Sequence, residues 1–272
     1  MGVEIISKRN RVLLYQLVKT DFKLRYQGSF LGILWSVLKP LMIFAVMYTV
    51  FVHFLKVTDG TPTYPIVLLL GISLWQFFTE ATSVGMQSIF VRGDLIRKIN
   101  FPKHIIVMSS MISALISLAI NLAVVCLFAL FARVDLTWNI LLVPISILQL
   151  FALAFGLALF LSAFYIKFRD IGHIYEVVLQ IIFYAMPIIY PLSMVANRTV
   201  LGIPVQKLLL LNPIAQTIQD VRHNLIAPTT TPTAWTTMNS WIVIVPIVLT
   251  GFIIVGGIIY FNKNSKYFAE NI

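Results

Sequence analysis

Four polar residues recur at helical spacing inside an otherwise apolar run: Gln76, Glu80, Ser83 and Gln87, at i, i+4, i+7 and i+11. A helix of ordinary pitch puts all four on one face. Glu176, Gln180, Tyr184 and Pro187 repeat the spacing in a later run, and Ser110, Ser113, Ser117 and Asn121 form a smaller stripe between them. Glu, Gln and Ser together offer hydrogen-bond acceptors and donors, so such a face can meet water, a hydroxyl-rich ligand or a partner helix. The serine stripe suits close helix packing better, because small side chains let backbones approach. The two stripes carrying Glu and Gln fit cavity lining and interhelical bonding equally well.

No motif or spacing suggests that this chain breaks covalent bonds. No G-x-x-x-x-G-K-[ST] loop occurs, so nothing marks a nucleotide site. No G-x-S-x-G elbow occurs. His53, His104, His173 and His223 stand in separate segments, without metal-ligand spacing. The single cysteine, Cys126, cannot form a disulfide or a Cys-based zinc framework within the chain. Asn197-Arg198-Thr199 fits a glycosylation sequon, a triplet short enough to arise by chance. No cofactor or metal is therefore expected in this chain.

The elements that carry the stripes follow from composition. Hydrophobic residues make up 59% of 272 and charged residues 11%, too little polar surface to cover a soluble globule. The expected class is an all-α membrane protein. Residues 36–55 hold one charge, Lys39, in the first turn, where its stem can snorkel back to the headgroups. About twenty apolar residues cross a hydrocarbon core of about 30 Å. Further spans are expected over 64–91, 105–131, 140–166, 174–196 and 241–261, six in all. The fifth contains Pro187 and Pro191. It fits either an ordinary kink or a broken, re-entrant element whose freed backbone groups must be satisfied by protein or water. Residues 197–240 are too polar to span, although 205–226 are amphipathic.

Before the first span, residues 4–27 read as an amphipathic interface helix. Leu13, Leu14, Leu17, Val18 and Leu24 form its apolar face, Lys8, Arg11, Lys19 and Lys23 its basic face, and Asp21 and Arg25 an i,i+4 pair. Gly28 and Gly32 then form G-x-x-x-G, suited to helix packing or to a simple break. The expected organisation is an interface helix over 1–31, a six-span domain over 32–261 and a tail over 262–272. With both ends inside, fourteen of the twenty Lys and Arg residues lie on the inner side, and five lie outside: Lys56, Arg133, Arg198, Lys207 and Arg222. This bias predicts cytoplasmic termini. The net charge of +10 thus reflects topology, and nucleic acid is not an expected partner.

Several segments resemble one family. The stretch RYQGSFLGILWSVLKPLMIFAVMYTVF (25–51) is similar to the opening of permease subunits of ABC-type polysaccharide exporters, and RGDLIRKINFPKHIIV (92–107) to that family's link between its second and third spans. FYAMPIIYP (183–191) and LNPIAQTIQDVR (211–222) resemble its fifth span and outer segment. The closest likeness is to permeases exporting rhamnose-rich cell-wall polysaccharides in streptococci and related Gram-positive bacteria; O-antigen and teichoic acid exporters are more distant. The resemblance implies a multi-pass protein of the bacterial cytoplasmic membrane, a pair of permeases, most simply a homodimer, and a separate ATP-binding subunit that carries ATP and magnesium. It implies an undecaprenyl-linked glycan as substrate.

Under that resemblance, Gln76, Glu80, Ser83, Gln87, Gln180 and Tyr184 are the candidate substrate path. With Val91 as the inner end, Glu80 lies about 16 Å deep at 1.5 Å per residue, where an ionised carboxylate facing lipid would cost several kcal/mol. Trp35, Tyr48, Trp75, Phe78, Tyr184 and Tyr190 offer rings to stack on sugars, but an interfacial belt suits Trp35 and Trp75 better. Coupling to the ATPase falls on Asp94, Ile96, Arg97, Lys98, Phe101 and Pro102, with Phe168, Arg169 and Asp170 in the next inner loop. Gly93 and Asp94 can open a short helix there, and Pro102 ends it. Ile96, Ile99 and Phe101 would give an apolar docking surface. Two other classes compete: a proton-coupled secondary transporter using Glu80 and Glu176, and a membrane-embedded glycolipid-modifying enzyme. The first would show inverted repeats, and the second an acidic or His cluster at the interface; neither is evident.

Overall fold

The computed structural model describes residues 7–26, 32–134, 137–238 and 241–271. Gly28, Asp135 and the side chains of Leu24 and Arg25 lie outside the described residues.

The chain is helical nearly throughout. An N-terminal helix, α1 (Lys8–Tyr26), is followed by α2 (Trp35–Met47), which continues as a π-helix over Tyr48–Phe54. Then come α3 (Tyr64–Val91), α4 (Gly93–Lys98), α5 (His104–Phe131), α6 (Val143–Lys167, led by a 3-10 turn at Trp138–Leu142) and α7 (Ile171–Ala185). A small antiparallel hairpin pairs Thr199 with Pro204 and Val200 with Ile203. Two short helices follow, α8 (Val205–Leu210) and α9 (Pro213–Leu225), then α10 (Ala234–Thr237), α11 (Val245–Asn264) and α12 (Phe268–Asn271). Among the described residues, five helical stretches are long and apolar enough to cross a membrane: Trp35–Phe54, Tyr64–Val91, His104–Phe131, Trp138–Lys167 and Trp241–Tyr267. The all-α membrane architecture stands.

The expected fifth span differs. Its helix, α7, stops at Ala185 after 15 residues. Met186 takes an extended conformation, as a residue preceding proline does, and Pro191 is extended too. The run continues as a non-helical link alongside α3. Tyr175 donates its hydroxyl to Thr82 Oγ1 at 2.6 Å, Phe183 meets Trp75 with ring centroids 5.8 Å apart, and the carbonyl of Ile189 accepts from the hydroxyl of Tyr64 at 2.7 Å. These three contacts trace α7 and its link antiparallel to α3 from Thr82 back to Tyr64, about 27 Å at 1.5 Å per residue.

Helix α3 is the centre of the bundle and packs against α2, α5, α6 and α7. On its other side α6 meets α11 with backbones almost touching: a Cβ on Gly257 would lie 2.1 Å from the carbonyl oxygen of Gly156. Small residues make this approach possible, and dispersion contacts hold it where lipid offers no hydrophobic drive. Helix α1 lays Leu13, Leu14 and Leu17 against the same core and leaves Lys8, Arg11 and Lys19 exposed, so its amphipathic pattern serves packing against α5. Gly32 (φ 50°) opens a 3-10 turn just ahead of α2, which makes it a break in the chain.

Candidate functional site

On the assignment that the Lys and Arg distribution favours, the N-terminal half of α3 is its outer half; that half is covered, and the C-terminal, inner half is open along one strip. From Tyr64 to Trp75 every residue except Pro65 is buried. Below Trp75 a strip opens: Gln76, Glu80 and Ser83 are half-buried and Gln87 is exposed, while Phe77, Phe78 and Ala81 point into the core. Val84 and Val91 share the open strip, so it is polar with apolar interruptions. The amide oxygen of Gln76 is buried without a hydrogen-bond partner among the described residues. On α7, Glu176, Gln180 and Tyr184 are exposed, and the helix packs through Tyr175 and Leu179. Pro187, the last member of that stripe, is buried. The serine stripe of α5 is buried from Ser110 to Asn121, in keeping with packing. Trp75 is no interfacial anchor: it is 8% exposed, deep in α3, stacked on Phe78 and in contact with Phe183. Those rings close the outer end of the open strip.

Above them sits a feature that sequence reasoning missed. Helix α9 has a composition close to neutral in hydropathy, yet its residues from Pro213 to Arg222 are all buried, against α3, α6 and α11. Asn212 caps its start by accepting from the Ile214 amide at 2.9 Å, with Pro213 in the first turn. Several of its polar side chains find partners inside the protein, while Asp220 Oδ1 has none among the described residues. Gln149 of α6 donates to Gln216 Oε1 at 2.7 Å, and Gln216 donates onward to Asp220. Burial pushes the Asp220 carboxyl up to about 6, against the pull of the Gln216 amide.

Arg222 is 3% exposed. Sequence reasoning counts it among the five outer cations; the structure buries it inside the bundle. Its Nε donates to the Val67 carbonyl at 3.0 Å, Nη1 to the Pro187 carbonyl at 2.6 Å and Nη2 to the Ile188 carbonyl at 2.6 Å. Burial draws its pKa down to about 10, which leaves it charged at neutral pH. The guanidinium occupies the space over Gly71, where a Cβ would stand 1.9 Å from Nη2. The freed carbonyls of the proline break are thus answered one by one: Ala185 by Tyr190, Pro187 and Ile188 by Arg222, Ile189 by Tyr64 and Leu192 by Gln206. Protein, in place of water, satisfies the break.

At the inner end the short helix expected after Gly93 is present as α4. Asp94, Arg97 and Lys98 are exposed on it and Pro102 is half-buried. Ile96 and Phe101, however, are 7% and 6% exposed and belong to the protein's own core, so they form no docking surface in this chain; their apolar character serves packing near the C-terminal tail. Ile99 and Phe168 are exposed apolar residues of the two loops, and Arg169 and Asp170 beside Phe168 are exposed too. Arg169 lies 4.4 Å over the Phe90 ring, which sets the second inner loop beside the end of α3. The segment is tied down from both sides. Arg92 pairs with Asp21 of α1 and donates to Ser109 at 2.8 Å; Arg9 donates to the Asn100 carbonyl at 3.2 Å; Lys103 donates to the Ser265 carbonyl and stands 5.5 Å over the Phe268 ring. No group of three His, Cys, Asp or Glu that could hold a metal occurs among the described residues.

A multi-pass helical bundle with one open polar strip and an anchored inner collar is the architecture of an integral membrane protein. The family model described as ABC-2 type transporter matches residues 12–226, and the chain belongs to that family. It is similar to an O-antigen export system permease protein RfbA of Myxococcus xanthus, 29% identical over 207 residues, covering 75% of this chain and 76% of the relative. Two permeases of the same description from Klebsiella pneumoniae are 26% and 28% identical over 261 residues, covering 95% of this chain and 94% of each relative.

Proposed function

We propose that this chain is the permease of an exporter that moves a lipid-linked cell-surface polysaccharide across the bacterial cytoplasmic membrane. Similarity over almost the whole length to O-antigen export permeases carries the reading. ATP and magnesium are bound by a separate subunit, which docks on the exposed inner residues Asp94, Arg97, Lys98, Ile99, Phe168, Arg169 and Asp170. The sugars pass along the strip Gln76, Glu80, Ser83 and Gln87, with Gln180 and Tyr184 of α7. That strip is uncovered in a single chain, as a path shared by two permease copies would be. The glycan is undecaprenyl-linked, and the sequence likeness favours a rhamnose-rich polymer. Both termini are cytoplasmic, by the distribution of Lys and Arg.

Depletion of the permease should make the lipid-linked glycan accumulate inside the cell while surface glycan falls; unchanged levels of both would contradict export. Orientation is tested by single cysteines at Ser7 and Leu201 in a Cys126→Ser background. Leu201, 97% exposed in the hairpin turn, should label from outside and Ser7 from inside.

A further inference from the structure

We infer that Arg222 is a positioning residue that pins the link after α7 against α3 and so closes the outer end of the strip; this rests on the strip being the transport path. Three observations meet at one point. The link runs beside the outer half of α3 with no helix of its own to satisfy its carbonyls, and the Pro187 and Ile188 carbonyls both accept from the one guanidinium. The same guanidinium donates to Val67, so it bridges α3 and the link directly. Gly71 leaves the space the guanidinium fills. Below this bridge, Trp75 and Phe183 meet, and below them the strip opens toward the inner side. The closed region therefore begins where Arg222 holds the link and ends where Gln76 becomes accessible. Moving the link away from α3 requires the guanidinium to give up either its bond to Val67 or its two bonds to the link. A fixed fork of donors suits such a contact, and a lysine ammonium cannot reproduce it.

The test uses the full-length permease with its ATPase subunit in cells, carrying Cys126→Ser and Gln76→Cys. A membrane-impermeant thiol reagent is applied from outside to intact cells and from inside to inverted vesicles. With Arg222 present, position 76 should react from inside and only at background rate from outside. Arg222→Ala should raise the outside rate about tenfold or more, since each lost charged hydrogen bond is worth about a tenfold shift. Gly71→Ala, which favours the helix but displaces the guanidinium, should have the same effect. Combining the two should add nothing, because both act on one contact. Arg222→Lys should fall between Arg222→Ala and the parent. If Arg222→Ala does not accumulate in the membrane, Gly71→Ala and Arg222→Lys decide. An outside rate unchanged in every accumulating variant, with position 76 still reactive from inside, overturns the latch and leaves the path intact. A position 76 unreactive from both sides overturns the path and the latch with it.

Discussion

Helix α3 is anchored at its two ends by two arginines that work differently. At the outer end Arg222 is buried and spends its donors on backbone carbonyls. At the inner end Arg92 is about one-fifth exposed, pairs with Asp21 and shares Ser109 with it. Backbone carbonyls cannot be neutralised by pH and are little screened by salt when buried. A part-exposed ion pair can be screened and exchanged. The outer anchor is therefore set by geometry, and the inner one by charge. That is a sensible division if force enters at the collar formed by α1, α4 and the tail and is read out as movement at the link.

The comparison breaks first at its buried anchors. Phe101→Ala empties a packed site under the inner collar and should cost about 3–5 kcal/mol; thermal unfolding in detergent measures it. Arg222→Ala leaves three buried carbonyls without their donor and should cost on the order of 3 kcal/mol. Equal stability of that variant and the parent would show that the link does not need the guanidinium. The inner pair should be milder. Asp21→Arg or Arg92→Asp alone should weaken export and lower stability by about 1–3 kcal/mol, and the exchanged pair together should recover much of both. Failure of the exchange to rescue would assign the effect to Ser109 or to packing.

Asp220 sharpens the outer side. Its folded pKa, about 6, lies above the unfolded value near 3.9, so the folded state holds the extra proton between those values. Stability from this group should rise as pH falls from about 6 toward 4 and be absent above 6. Asp220→Asn should stabilise the protein by about 1–2 kcal/mol at pH 7.5 and flatten that dependence. A loss of stability at pH 7.5 would mean the carboxylate is needed in its charged form. The smallest effect on folding belongs to Ile99→Asp, within about 0.5 kcal/mol because the side chain is exposed. It should nonetheless reduce copurification of the ATPase subunit; undisturbed copurification and export would remove Ile99 from the docking surface.

Five of the six expected spans were legible because long apolar runs have one common outcome. Pro187 and Pro191 marked the fault in the fifth, since proline constrains its neighbour as well as itself, but did not distinguish a kink from a break. Helix α9 was not, because hydropathy scores Gln216, Asp220 and Arg222 as water-facing and cannot see that Gln149, Val67 and the link supply their partners. Ile96 and Phe101 misled in the opposite sense: apolar residues in a short inner loop read as a free surface, whereas the core extends under α4. Long-range partners decided both cases, and neither is encoded in local pattern.

The central claim is that the open strip of α3 lines the path, reached from inside. Single cysteines at Gln76, Glu80, Ser83 and Gln87, with Phe77, Phe78 and Ala81 as buried controls, can be probed with a water-soluble thiol reagent applied to inverted vesicles carrying Cys126→Ser. Val84 shares the open face and is scored with the strip. The account predicts fast reaction at 76, 80, 83, 84 and 87, slow reaction at 77, 78 and 81, and slowing of the fast set when lipid-linked glycan is present. Equal reactivity at both sets, or no effect of the glycan, would contradict it.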